Sequence, residues 1–318
     1  MNANLLKPRI YYLHALTPLH IGTGRGEGFI DLPLLREKST GLPCVPGSAI
    51  KGVLRYEHTS PPEPGNDESP SNGQESKPLT AADSVFGKEP KGGGESDFSG
   101  LLRVGDAHLL CLPVRSWQAV FAWVTCPFVL RRYRGDWRDA GGEVVGLDVP
   151  SIRDDGEALG GDDNRVAWHN DTVYLEDLSL TYRREPLVTA WTRHLSGQLF
   201  QESDRADWQN EFSGRFLIVS DTLFAFLAQH HTEVRPHVKL GENRTVADGP
   251  WYEESLPAES LLWGIVAQDV FRWQSQQADN ASVGQLLEKI MKTSQRLQIG
   301  GNATTGLGQV LWVCGDGQ

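Results

Sequence analysis

Apolar and polar positions alternate between two periods along this 318-residue chain. Residues 10–16 (IYYLHAL) are rich in aromatic and aliphatic side chains and predict a strand. Residues 17–28 (TPLHIGTGRGEG) predict a loop, because four glycines in seven residues cannot hold a regular element. In 46–58 (PGSAIKGVLRYEH), Ile50, Val53 and Leu54 recur at i, i+3 and i+4, the apolar stripe of a helix, with Ser48 as its expected N-cap. Strands are predicted over 101–106 and 120–124, and a short helix is predicted from a cap at Asp221 to about His230. Residues 233–240 and 244–246 flank Gly241-Glu242-Asn243, the signature of a β-hairpin. The apolar run 261–270 is buried whichever element it forms. Residues 283–297 predict a helix with Leu286, Leu287, Ile290 and Met291 inward, and a second glycine-rich loop then feeds a last strand. Strands and helices mixed with hairpins, without a solenoid repeat, predict an α+β fold.

Composition sharpens this outline. With 39% hydrophobic residues and 10 Trp, the chain can bury a large core. Two stretches break the pattern. Residues 60–78 (SPPEPGNDESPSNGQESKP) lack aromatic and β-branched residues and predict a disordered insertion. Residues 153–165 (RDDGEALGGDDNR) predict an exposed acidic loop, without the spacing of a calcium loop. Apolar patterning resumes after each, so a single domain over 1–318 is expected.

The formal charge is −11, a balance that taken whole argues against a nucleic-acid partner. Its distribution reverses that inference. Residues 1–58 carry a net +3, whereas 59–100 hold eight acidic against three basic side chains, and 151–232 hold fourteen against seven. Local placement decides binding. Cys44, Cys111, Cys126 and Cys314 lie far apart with no C-x-x-C pair, which predicts reduced thiols and a cytoplasmic protein rather than a zinc knuckle. No apolar run has the length of a signal peptide or a membrane span, so the four N-x-S/T matches, Asn302 among them, carry no glycosylation signal.

Several chemistries are excluded by spacing. The first glycine loop reads G-x-G-x-G-x-G rather than G-x-G-x-x-G, and no G-x-x-x-x-G-K-[ST] occurs. H-E-x-x-H and G-x-S-x-G are absent, and the H-x-E at His231 lacks the P-C-x-x-C of a zinc deaminase. What remains is an N-terminal cluster: His20, Asp31, Arg36-Glu37-Lys38, and a helix carrying Ser48, Lys51 and Arg55. A phosphate at the start of that helix would gain its dipole, the Ser48 hydroxyl and one or two cations.

Residues 14–55 (HALTPLHIGTGRGEGFIDLPLLREKSTGLPCVPGSAIKGVLR) resemble the signature of the RAMP superfamily, and within it the backbone subunits of type III-B CRISPR (Cmr) RNA-targeting complexes. Blocks at 86–127 and 232–257, and GGNATTGLG at 300–308, extend the resemblance in the same order. The acidic stretches have no counterpart in it. The resemblance implies a ferredoxin-like (RRM-like) core, copies of which stack along a guide crRNA beside other Cmr subunits. Each copy inserts a β-hairpin thumb, here 233–254, that displaces a nucleotide of the paired single-stranded target RNA. It further implies that Asp31 is the cleaving residue and binds a divalent ion, magnesium or manganese. His20 is a second candidate, as an acid or base or, in preference, as an RNA contact. Gly47, Ser48, Lys51 and Arg55, with Gly300, Gly301, Gly306 and Gly308, are the implied RNA-binding set. Arg235, Lys239, Tyr252, Glu253 and Glu254 belong to the thumb and its base, with Trp251 expected in the core. A non-catalytic RNA-binding filament subunit is the alternative, and a nucleotide-using metabolic enzyme is a more distant one.

Overall fold

A computed structural model describes residues 8–24, 30–59, 80–88, 98–169, 171–201, 206–269, 280–292 and 294–315. The stretch 60–78 therefore lies outside the described residues, as does 25–29 of the first glycine loop.

The first half of the chain runs β1 (Arg9–Ala15), β2 (Cys44–Val45), α1 (Gly47–His58), α2 (Ala81–Phe86), β3 (Gly87–Lys88), β4 (Phe98–Ser99), β5 (Leu102–Val104), β6 (Ala107–Arg115), β7 (Phe121–Thr125) and α3 (Pro127–Asp139). The second continues with β8 (Glu157–Gly160), β9 (Thr172–Leu175), β10 (Leu178–Arg184), α4 (Pro186–Leu199), α5 (Ala206–Arg215), β11 (Phe216–Val219) and α6 (Asp221–His230). It ends with β12 (Glu233–Leu240), β13 (Val246–Ser255), β14 (Leu261–Gln268), α7 (Asn280–Lys292), β15 (Gln295–Gln298) and β16 (Gln309–Cys314).

Twelve strands form one mixed sheet in the order β15-β16-β1-β14-β6-β7-β11-β8-β10-β9, with β2 joined to β6 and β5 to β14. Strand β1 is central and antiparallel to both β14 and β16. Its residues 10–13 are all buried, as a strand covered on both faces requires. Successive side chains point to opposite faces. Tyr11 stacks on Trp312 at 4.4 Å, and the Trp312 indole donates to the Ile290 carbonyl, which seats α7 on that face. Tyr12 meets the Tyr133 hydroxyl at 2.6 Å, which places α3 on the other.

Four sequence expectations need correction. The N-cap of α1 is Pro46; Ser48 is the second helical residue, and no side chain caps the helix. The Gly47 N–H instead donates to Asp106 Oδ1 at 2.8 Å. In α6 the cap is Ser220, which accepts from Leu223 N, and Asp221 is the first helical residue. The helix expected over 283–297 ends at Lys292, because Gln295–Gln298 pairs with β16 in register. The acidic stretch 153–165 is exposed only in part: β8 runs buried through its middle, between β10 and β11. The buried Glu157 there accepts from Arg183 at 2.6 Å, so a charge that reads as surface is an internal ion pair. A strand with only two adjacent apolar residues, Ala158 and Leu159, leaves almost no periodic signal.

Strands β12 and β13 form a separate two-stranded ribbon. The hairpin forms as read from the sequence, but its turn runs to Thr245 and the second strand starts at Val246 rather than Arg244, with Gly241 N–H donating to Thr245 O and Arg244 N–H to Gly241 O. Val234, Val238, Leu240 and Val246 leave apolar surface exposed along it.

Candidate active site and nucleic-acid interface

Asp31 is exposed and lies on a short strip that runs along the base of β13. Leu32 bridges Glu253 in parallel: Leu32 N–H donates to Tyr252 O and Glu254 N–H to Leu32 O, both at 3.0 Å. The Tyr252 N–H donates to Asp31 Oδ2 at 2.8 Å, so the hairpin's own backbone orients the carboxylate.

Beneath this edge lies Glu254, 2% exposed. Its carboxylate accepts from Leu34 N–H (2.9 Å), from the Thr232 hydroxyl (2.7 Å) and from Arg36 (2.5 Å). One buried anion on β13 therefore joins the Asp31 strip to Thr232 at the entry of β12, and its partners offset the cost of burial. Arg36 also donates to the Ala228 and Gly41 carbonyls. The next residue anchors the strip on its other side. Glu37 accepts from His108, from Arg132 and from the Thr40 hydroxyl. Burial pushes the Glu37 carboxyl upward, but the hydrogen bonds from His108, Arg132 and Thr40 outweigh it and hold the group at about 2.

Glu253, 4% exposed, faces the C-terminal glycine loop. Asn302 Nδ2 sits 2.6 and 2.8 Å from its two oxygens, while His20 Nδ1 and His237 Nε2 flank it at 3.8 and 3.9 Å. His20 is buried, with Nδ1–H donating to Glu254 O at 2.6 Å. It is a support of the hairpin base rather than a surface ring. Gly301 N–H donates to the His20 carbonyl, and Gly308 N–H to Pro18 O. At Gly300 a Cβ would stand 2.1 Å from the His20 carbonyl oxygen, so only glycine fits there. Gly306 closes the loop's single 3-10 turn in the left-handed region.

The cationic residues form a different feature. Gly47, Ser48, Lys51 and Arg55 line a cleft of about 660 Å³ with Lys88, Arg103 and Asp269. Lys51 and Arg55 share one flank of α1, and Arg103 donates to Asp269 at 2.5 Å. Burial, and then the neighbouring charge of Arg55, lowers the Lys51 pKa, so a phosphate placed there relieves a repulsion already present. Gly47 lets α1 approach β5 closely, since a Cβ there would lie 2.2 Å from Val104 O. The expected phosphate seat at the helix start is altered, because the Asp106 carboxylate already takes the first N–H.

The structure thus gathers Asp31, His20, Tyr252, Glu253, Glu254, Gly300 and Gly301 in one place and Gly47, Ser48, Lys51 and Arg55 in another. Arg235 stands exposed at the ribbon base, across the ladder from Glu253 and paired with Glu233, and Lys239 stands exposed further along toward the turn. Trp251, expected in the core, is half-buried on the ribbon and stacks on His237 at 5.8 Å. Sequence reasoning missed the roles of Asn302, Thr232 and His237, for which no motif exists. Arg36 had a signal in its place beside Asp31, but not its partner.

A large mixed sheet with helices on both faces and a hairpin projecting beside a glycine loop belongs to a definite class. The RAMP superfamily profile matches residues 12–310, and the chain is a member of that superfamily. It is 29% identical over 313 residues, 96% of this chain and 95% of the relative, to the CRISPR system Cmr endoribonuclease Cmr4 of Pyrococcus furiosus. The crystal structure of oligomeric Cmr4 from the same organism superposes with a TM-score of 0.68 at 25% identity, covering 98% of each chain. A subunit of the type III-B Cmr-beta complex bound to cognate target RNA shares the fold, with a TM-score of 0.67 at 16% identity.

Proposed function

We propose that this protein is the backbone subunit of a type III-B CRISPR effector complex, an RNA-guided endoribonuclease acting in antiviral defence. Copies bind guide crRNA side by side, together with other Cmr subunits, and cut complementary target RNA at regular intervals. The observation that carries this reading is the exposed Asp31 carboxylate, oriented by the Tyr252 amide at the base of a projecting hairpin. The relative named as an endoribonuclease spans nearly the whole chain.

A ferredoxin-like core is supported by the order β16-β1-β14-β6, with α1 between β1 and β6 and α7 between β14 and β16. The ribbon β12–β13 serves as the thumb. It carries exposed apolar residues at its flanks and Arg235 and Lys239 toward RNA. The guide backbone lies along Lys51 and Arg55, with the glycine loop alongside. Such contacts follow phosphates rather than bases. Four buried free cysteines suit a reducing cytoplasm, and no described helix is long and apolar enough to cross a membrane.

In the reaction, the 2′-hydroxyl of the displaced nucleotide attacks the adjacent phosphorus in line. The O2′–P bond forms and the P–O5′ bond breaks, leaving a 2′,3′-cyclic phosphate and a 5′-hydroxyl. Asp31 orients the hydroxyl and accepts its proton, and water protonates the departing 5′ oxygen. Among the described residues no three His, Cys, Asp or Glu side chains gather into a metal site. A magnesium or manganese ion would therefore be held by Asp31 with RNA oxygens and water, and when bound it neutralises charge at the phosphate. The test is Asp31→Asn in the assembled complex: target cleavage falls by about a hundredfold or more while guide binding is unchanged. Wild-type cleavage by that variant would leave a non-catalytic filament subunit as the function.

A further inference from the structure

Asn302 is the non-glycine residue at which the C-terminal loop enters its 3-10 turn, and its backbone is left-handed, with φ 61° and ψ 28°. Asparagine tolerates that region better than other side chains, yet glycine would tolerate it at less cost. A residue kept in an unfavourable conformation in a loop of glycines is retained for its side chain. The side chain has one evident engagement: Nδ2 reaches both oxygens of the buried Glu253 carboxylate. Glu253 in turn is bridged to Leu32 and adjoins Tyr252, whose N–H fixes Asp31.

We infer that Asn302 is a positioning residue for the cleavage edge, tying the glycine loop to the thumb base so that the two move as one unit. The inference rests on the function proposed above. The chain of contacts is continuous: loop 300–308, Asn302, Glu253, Leu32 and Tyr252, Asp31. It is reinforced one residue earlier in the loop, where Gly301 N–H donates to the His20 carbonyl and the His20 ring donates to Glu254 O. Without the amide, the side chains left beside the Glu253 carboxylate among the described residues are two imidazoles at nearly 4 Å, beyond hydrogen-bonding reach. A buried carboxylate left without a hydrogen-bond donor carries its full desolvation cost, which favours its moving. Because the glycine loop lies where guide RNA is proposed to run, occupancy of the loop and the setting of Asp31 become linked.

Asn302→Gly preserves the backbone conformation and removes only the amide; Asn302→Asp preserves the shape and opposes two carboxylates. In the guide-loaded complex with saturating target, Asn302→Gly lowers the single-turnover cleavage rate by about tenfold to a hundredfold, with guide Kd and target KM within about twofold of wild type. Asn302→Asp loses more. Adding Glu253→Gln to Asn302→Gly brings little further loss, because both remove one contact. Hydrogen exchange provides a second readout: the Leu32, Leu34 and Tyr252 amides exchange faster in Asn302→Gly. A wild-type rate, or unchanged exchange at those amides, overturns the inference. Asp31→Asn measured in parallel separates the two claims: if it cuts like wild type, the proposed function fails, and exchange alone still decides whether Asn302 ties the loop to the edge.

Discussion

The hairpin base and the α1 cleft treat charge in opposite ways. At the base, Glu253 and Glu254 are almost fully buried; Glu254 is held by Leu34 N–H, Thr232 and Arg36, and Glu253 by the Asn302 amide. At the cleft, Lys51 and Arg55 face a broad opening and repel one another. The first region is complete in the protein alone and rigid by construction. The second, on the proposed function, is completed by the phosphates of the guide. An edge that cuts must place one carboxylate within a fraction of an ångström, whereas a groove that follows a flexible backbone needs charge more than geometry. Precision and adhesion are thus carried by different residues, and the contrast can be attacked from either side.

The largest effect is expected at the buried hub. Glu254→Ala leaves Arg36 without its carboxylate and the Leu34 N–H without its acceptor, and costs about 3 kcal/mol of stability, measured by urea unfolding. Glu254→Gln, which keeps the shape, costs less. A loss near zero for the alanine variant would mean that the base is not a unit. Next comes the acid limb. The Glu37 carboxyl is lowered from an ordinary value of 4.5 to about 2 in the folded protein, so the unfolded chain binds its proton first. Its contribution is fully present above about pH 5, is lost as pH falls toward 2, and is on the order of 2–3 kcal/mol. The stability gap between wild type and Glu37→Gln should therefore be wide at pH 6 and markedly narrower at pH 3. Smallest is the cleft. Lys51→Glu should weaken guide binding by about tenfold across unrelated guide sequences and lower the slope of log affinity against log salt by one to two units, roughly. A sequence-selective loss would show that the cleft reads bases and would erase the contrast.

How much of this was legible differs between the same two regions. Strand β1, the helix over α1 and the hairpin turn carry strong local signals, apolar periodicity and turn residues, and all three form, the turn running on to Thr245. The cationic flank of α1 follows from its spacing, since Lys51 and Arg55 are four apart. The hub does not. Glu254, Arg36 and Thr232 are 218 and 22 residues apart along their hydrogen bonds, and only tertiary folding makes them one site. Asn302 illustrates the same limit: in the sequence it belongs to a glycosylation motif without force, and in space it is a tether. The misread helix end at Lys292 and the overlooked β8 share a cause, because pairing with a neighbouring strand overrides weak local preference.

The Asp106 carboxylate at the start of α1 has a consequence for selectivity. A free nucleotide or inorganic phosphate seeks a helix end, where several amides converge on a single anion. Here that end already has its counter-ion, covalently attached and unable to diffuse away. A small phosphate would have to displace that carboxylate to reach the Gly47 N–H. Charges spread along the flank of the helix meet no such competitor, so on the proposed function the cleft would favour an RNA strand over its own building blocks by valency.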